Sequence, residues 1–201
     1  MGNNTTMKND KQKRTVICIS GMAGTGKSTL AKELAKKYHL KYYSGGDALK
    51  ALAAEEGYDT SQPGWWESPV GLEFLKQRQG DLKFDRAVDS KLLEYAEQGN
   101  VLLDSWTMPW LVKDGFKIWL MASMEKRAQR VAKRDKMTAA KALKVLKEKE
   151  DRTKVIYKQL YGFMLGEDFK PFDLVLDTEN MSAEEVYQTL RQVVENMILK
   201  S

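Results

Sequence analysis

The chain has 201 residues, 42% of them hydrophobic and 30% charged, with a formal net charge of +5. Such a length suits one domain that can bury a core without disulfides or metals, and the composition is that of a soluble globular protein. No apolar run approaches the roughly 20 residues that a bilayer span needs, the N-terminus lacks the apolar stretch of a secretory signal, and the single cysteine, Cys18, reads as a buried inert thiol.

Residues 1–14 read as a polar tail; "MGNNTT" loosely matches a myristoylation pattern, but fraying is the simpler account. "TVICIS" (15–20) is a β-branched apolar run, the mark of a strand buried on both faces. It enters a glycine-rich turn directly. "KSTLAKELAKKY" then sets Leu30, Leu34 and Tyr38 on one helical stripe. A second strand, "KYYS" (41–44), ends at Gly45-Gly46, and a weak helix, "DALKALAAEEG", follows. Residues 57–71 carry the Gly, Pro and Ser punctuation of a loop. "DRAVDSKLLEYAEQG" is a helix stopped by Gly99. "NVLLDS" (100–105) and "FKIWLMA" (116–122) are buried strands. A long helical region spans about 124–160 with a break near "DKMT". "FDLVLDT" (172–178) is the last strand, and the last helix carries a capping box, Ser182 with Glu185 three residues on. Apolar strands alternating with helices predict an α/β fold with a parallel sheet between helical layers.

Gly21–Ser28 has the spacing G-x-x-x-x-G-K-S, with a strand before it and a helix after it. Across Gly21, Met22, Ala23, Gly24, Thr25 and Gly26 the backbone N–H groups can turn inward to cradle phosphate oxygens. Lys27 would reach the β- and γ-phosphates, the Ser28 hydroxyl would ligate Mg²⁺, and Thr29 continues the binding segment. Asp104 ends the third strand, where an acid holds Mg²⁺ through water or else caps a helix. Asp47 either orients an acceptor or caps the next helix.

The charge is unevenly spread. Residues 125–158 hold 13 Lys/Arg and 5 Asp/Glu, a net +8, which leaves −3 for the rest. Either this is a solvated helix face or it meets a polyanion. Arg127, Arg130 and Arg134 share one helix face by three-four spacing and are placed to neutralise phosphates; Arg152 is a further cation of this kind. The chain has one histidine, His39, and no paired-carboxylate or Cys/His cluster. Transfer to a hydroxyl usually needs a base, whereas an acceptor phosphate is already anionic at neutral pH. The composition therefore suits a phosphate acceptor. Trp65 and Trp66 either fold back on the core or stack a base.

In order, "GMAGTGKST", "YYSGGDALK", "GNVLLDSWTMPWL", "FKIWLMASMEKRAQRVAKRDK", "YKQLYG" and "FDLVLDT" resemble the archaeal-type cytidylate kinases over about residues 15–195. The resemblance implies a P-loop NTPase fold: a five-stranded parallel sheet, an acceptor-binding insertion over about 45–90, and a lid over about 125–165. It implies transfer of the ATP γ-phosphate to CMP or dCMP, with ATP and Mg²⁺ as cofactors. Lys27 and Ser28 carry over as phosphate and Mg²⁺ residues, Ser44, Gly46 and Asp47 border the acceptor, and Arg130 and Arg134 begin the lid. The chain also departs from the family. Lys50 stands where an acceptor-phosphate arginine is usual, and Trp106 where many members have arginine. Lys149 and Ile156 stand at the lid arginine positions; Arg152, one turn from each, is the expected replacement. The rival readings are the same fold with AMP or UMP as acceptor, an RNA-associated adenylate-kinase-like ATPase, and a nucleotide-binding module without turnover. The expected partners are nucleotides alone, without membrane or nucleic acid, for a cytoplasmic monomer.

Overall fold

Alternation along the first strand sets the layering. In the computed structural model, which describes residues 14–198, β1 (Val16–Gly21) is buried throughout. Ile17 and Ile19 enter one core with Leu30 and Leu34 of α1 (Lys27–Lys37) and Val186, Leu190 and Val194 of α8 (Ala183–Ile198). Val16 and Cys18 enter the opposite core, with Leu49 of α2 (Gly45–Glu55), Phe74 of α3 (Pro69–Gly80) and Phe84, Val88 and Leu92 of α4 (Lys83–Gln98). A strand whose successive side chains feed two cores must be central. It is: the five strands are parallel in the order β2-β3-β1-β4-β5, with β2 at Lys41–Ser44, β3 at Val101–Asp104, β4 at Phe116–Met121 and β5 at Leu174–Asp177. The expected five-stranded parallel sheet between helical layers is thus present. The tail expected over residues 1–14 lies outside the described residues except for Arg14, whose guanidinium donates to the Glu97 carbonyl at 3.1 Å.

Local chemistry accounts for the helix ends. Ser123 caps α6 (Met124–Arg134), accepting from Lys126 N at 3.1 Å, and Thr138 caps α7 (Ala139–Tyr161), accepting from Lys141 N at 3.2 Å. The break expected near "DKMT" is the turn between these two helices. At α8 the Ser182 hydroxyl accepts from Glu185 N at 3.2 Å and the Glu185 carboxylate accepts from Ser182 N at 2.8 Å, so the capping box forms.

The sequence reading missed structure between the second and third strands. Within the stretch expected as loop, Trp65–Glu67 form a 3-10 turn, and α3 starts at Pro69 with Ser68 as its cap. A further short helix, α5 (Met108–Leu111), follows β3. The turn forms because Trp65 is a core residue: only 2% exposed, it packs edge-on to Trp66 and tilted on Phe74. Trp65→Ala should therefore cost about 3–5 kcal/mol of stability, read as a lower urea midpoint with little change in slope; an unchanged midpoint would refute a core role.

Candidate active site

The phosphate loop is held from outside as well as by its own turn. The Thr25 hydroxyl donates to the Met22 carbonyl at 2.9 Å and tightens the loop. Gly24 has φ 87, and a Cβ there would sit 2.8 Å from the Arg127 carbonyl oxygen, so α6 leaves room for glycine alone. Arg127 itself is buried; it donates to the Ala23 carbonyl at 3.1 Å and to the Ala122 carbonyl at 3.1 Å, and ion-pairs with Glu150 of α7. Its task is to tie the loop to α6 and α7, not to meet solvent or ligand. The shared helix face with Arg130 and Arg134 holds, but the expectation that Arg127 neutralises phosphates is corrected by its burial: its partners are internal.

A cleft of about 470 Å³ opens beyond the strand ends. Ala23, Gly24, Gly26, Lys27, Ser28 and Thr29 line one end; Gly21, Met22 and Thr25 lie behind them as the loop's support. Gly26 precedes α1 with φ 88, so Lys27 and Ser28 form the helix N-terminus, where the dipole favours an anion. Burial pulls the Lys27 ammonium below the ordinary lysine range; Asp104 and Glu67 oppose that drop, while Lys149 and Arg134 deepen it. Asp104 is paired in register with Ser44 of β2 and Ile19 of β1, which sets it beside the loop. It is 3% exposed and accepts from the Tyr42 hydroxyl at 3.0 Å. Ser28 and Asp104 both line the cleft and offer hard oxygen donors, the chemistry that suits a partly hydrated Mg²⁺. Among the described residues there is no group of three or more His, Cys, Asp or Glu able to hold a metal on its own. Such a donor set fits a cation that comes with a phosphate ligand.

Ser44, Gly46, Asp47 and Lys50 line the other side of the cleft. Ser44 caps α2, its hydroxyl accepting from Asp47 N at 3.0 Å. Asp47 is thus in the first turn and is not the cap, which leaves its carboxylate on the cleft wall. Trp106 donates its indole N–H to the Gly21 carbonyl at 2.6 Å, a bond that braces the start of the loop. The Lys27 ammonium lies 5.6 Å from the Trp106 ring centre and the Lys149 ammonium 5.9 Å from it. An indole face, where a guanidinium is usual in the resembling family, attracts the lysines instead of repelling them.

Arg130 and Arg134 reach the cleft as expected; Arg130 also donates to the Thr178 carbonyl at 2.7 Å. Arg152 does not line it: its guanidinium goes to Glu148 at 3.1 Å and Gln79 at 3.1 Å. One turn earlier, Lys149 takes that place, 8% exposed, with its ammonium 5.4 Å from the Trp66 ring centre. Three residues along a helix shift a side chain by about 60° around the axis, and the packing of α7 on the 3-10 turn selects Lys149. Trp65 and Trp66 both border the cleft, but Trp65 is packed into the core whereas the Trp66 ring lies near the Lys149 ammonium. The remaining basic residues of the segment include Lys141, Lys144 and Lys147, all exposed, so only part of the local charge faces the site.

Sequence reasoning overlooked a buried polar end to the cleft. Arg78 of α3 and Asp85 of α4 form a two-pronged ion pair at 2.6 and 3.1 Å, with 3% and 1% of their side chains exposed. Asp89, one turn on, accepts from the Thr107 hydroxyl at 2.6 Å and the Tyr161 hydroxyl at 2.7 Å. Arg78, Asp85 and Asp89 all line the cleft. The available signal was three charged residues on faces that otherwise supply core, since Phe74, Phe84, Val88 and Leu92 flank them. Buried charge next to a cleft is costly unless it is used or fully paired.

This sheet order and phosphate loop define the class: a P-loop kinase fold. Solved structures agree on the fold. Shikimate kinase from Bacteroides thetaiotaomicron aligns with TM-score 0.55 at 16% identity, over 91% of this chain and 99% of that one. A protein called TT1252 from Thermus thermophilus aligns with TM-score 0.55 at 20% identity, over 92% of this chain and 99% of that one. Within that class the chain belongs to the cytidylate kinase-like family, whose model matches residues 16–180. It is 34% identical to the cytidylate kinase of Methanocaldococcus jannaschii over 187 residues, 90% of this chain and 98% of that protein. It is 37% identical to that of Pyrobaculum islandicum over 169 residues, 83% and 85% of the two chains.

Burial pushes the Asp89 carboxyl up to about 6 against hydrogen bonds from Thr107 and Tyr161 that favour its ionised form. Because the folded state then holds its proton to higher pH than the unfolded chain, stability should fall as pH rises from about 4 to about 6. The loss attributable to this group is at most about 3 kcal/mol. It is read as the difference in urea stability between wild type and Asp89→Asn across that range; parallel pH profiles would refute it.

Proposed function

We propose that the chain transfers the γ-phosphoryl group of ATP to CMP or dCMP, giving ADP and CDP or dCDP, as a cytoplasmic monomer. The observation that carries this reading is the two-ended cleft: a phosphate loop at one end and the buried Arg78, Asp85 and Asp89 at the other. A cytosine edge presents one amino donor next to two acceptors. Carboxylates match the donor and a guanidinium matches the acceptors. Uracil places a carbonyl where cytosine has its amino group, which sets two acceptors face to face at an ionised carboxylate. Membership of the cytidylate kinase-like family and the printed names of its curated relatives support the same choice.

In this mechanism the loop amides and Lys27 hold the donor's β- and γ-phosphates. Ser28 and Asp104 would hold magnesium, which would supply charge neutralisation for the donor phosphates. Lys50 holds the acceptor phosphate as a point charge, without the fork of an arginine. Arg130, Arg134 and Lys149 neutralise the charge that builds up as the two phosphate groups meet. No general base is required, because the attacking oxygen is already ionised at neutral pH. Closing the lid excludes water, which would otherwise accept the phosphoryl group.

The acceptor is tested with ATP and Mg²⁺ and a panel of CMP, dCMP, UMP, AMP and GMP, following ADP. ADP should form with CMP or dCMP well above the other monophosphates, and RNA should not stimulate turnover. Turnover with AMP but not CMP would overturn the acceptor and leave the fold untouched; stimulation by RNA alone would favour a nucleic-acid-coupled ATPase.

The cation set makes a separate prediction. Lys27→Ala should abolish measurable transfer, and Lys149→Met should lower kcat on the order of 10²-fold. Arg152→Ala should change kcat by less than about 3-fold, as expected for a half-buried helix ion pair that lies outside the cleft. The reverse ranking of Lys149 and Arg152 in steady-state kinetics would return the lid role to Arg152.

A further inference from the structure

Glu67 is a carboxylate set among the cations of the cleft. It lines the cleft and is 5% exposed. One of its oxygens accepts from the Lys149 ammonium at 2.7 Å, the other from the Arg134 guanidinium at 2.8 Å, which also donates to the Asp135 carboxylate at 2.6 and 2.7 Å. It therefore bridges the two helices of the lid, α6 and α7, and it does so from the acceptor-binding insertion. We propose that Glu67 is a positioning residue for phosphoryl transfer: it holds Lys149 and Arg134 at the cleft and links the lid cations to the segment that receives the acceptor.

The carboxylate is held too firmly to be a passing contact. Glu67 N donates to the Gly64 carbonyl at 2.9 Å, and the next residue, Ser68, donates both its N–H (3.0 Å) and its hydroxyl (2.7 Å) to the Trp65 carbonyl. Trp65 anchors the turn in the core. Gly64 has φ 66, and a Cβ there would lie 2.8 Å from the Asp135 carboxyl carbon, so the turn rests directly on the end of α6. On the cleft side, Trp66 and Trp106 set ring faces toward the Lys149 ammonium at 5.4 and 5.9 Å. An ammonium between two indoles and one carboxylate has little freedom, which is what a transfer site requires of its cations. Three cations, Lys27, Lys149 and Arg134, line the same cleft. Asp104 faces Lys27 and Asp135 also pairs with Arg134, but Glu67 is the carboxylate that pairs with Lys149.

The inference rests on the kinase reading above, so wild type is assayed alongside with each nucleoside monophosphate, and the variants use whichever one it accepts. Glu67→Gln preserves shape but not charge. It should lower kcat roughly 10-fold or more while the KM values for both nucleotides move less than about 3-fold. It should also raise the ratio of ATP hydrolysed to phosphoryl groups transferred. Glu67→Asp, which keeps the charge on a shorter arm, should recover part of kcat. In a double-variant cycle, Glu67→Gln added to Lys149→Met should cost little beyond Lys149→Met alone, because the two act as one unit. A merely structural role would lower the melting temperature without this kcat-only loss or this non-additivity. Wild-type kcat in Glu67→Gln, or full additivity in the cycle, would overturn the inference. If Glu67→Gln does not fold, Glu67→Asp carries the same cycle, and full additivity there overturns it equally. A wild type that phosphorylates some other monophosphate would overturn the acceptor assignment alone; one that transfers to no monophosphate would overturn both proposals.

Discussion

Like charges must be gathered into one cleft before there is any phosphate to gather them. Two unit charges 4 Å apart in a surface-like dielectric repel by about 4 kcal/mol. A phosphate-transfer site must nevertheless hold several cations close together and partly out of water. Here the arrangement rests on opposing groups at fixed places. Asp104 faces Lys27 from the end of β3, Glu67 lies between Lys149 and Arg134, and the indoles of Trp66 and Trp106 offer their negative faces. The depressed ammonium of Lys27 is the remaining cost: burial and neighbouring cations both push toward the neutral form.

That constraint explains features that otherwise look unrelated. The Arg127–Glu150 pair uses an arginine of α6 to pin the phosphate loop through the Ala23 carbonyl. The Trp106–Gly21 hydrogen bond does the same from the opposite side. Trp106 and Lys149 fit each other, because an indole face accepts a nearby ammonium. The acceptor end follows a different rule. There Arg78 and Asp85 neutralise one another, and Asp89 has its buried oxygens satisfied by the Thr107 and Tyr161 hydroxyls.

How much of this was legible depended on whether the determining contacts were local. The glycine-rich loop, its flanking strand and helix, and the Ser182–Glu185 box are each made within a few residues, so pattern alone identified them. The stretch around Trp65–Glu67 was read as loop because Gly, Pro and Ser dominate it. The signals for α3 were present in Ser68 as cap and Pro69 as first helical residue, but Arg78 on the buried face blurred the apolar stripe. The choice between Lys149 and Arg152 was worse placed. Both are cations on one helix, and nothing in the spacing says which side of α7 meets the turn.

The sequence by itself determined the phosphate loop, the parallel α/β architecture and the family, because these follow from contiguous motifs and from the apolar periodicity of single elements. Only the tertiary structure decided that Lys149 and not Arg152 lines the cleft, that Trp65 is packed into the core, and that Glu67 sits among the cations. Those outcomes depend on contacts between residues about 65 to 85 positions apart in the chain, such as Glu67 with Lys149 and Trp106 with Gly21. Burial, ring faces and counter-charges arise only when such segments meet, and no local pattern encodes the meeting.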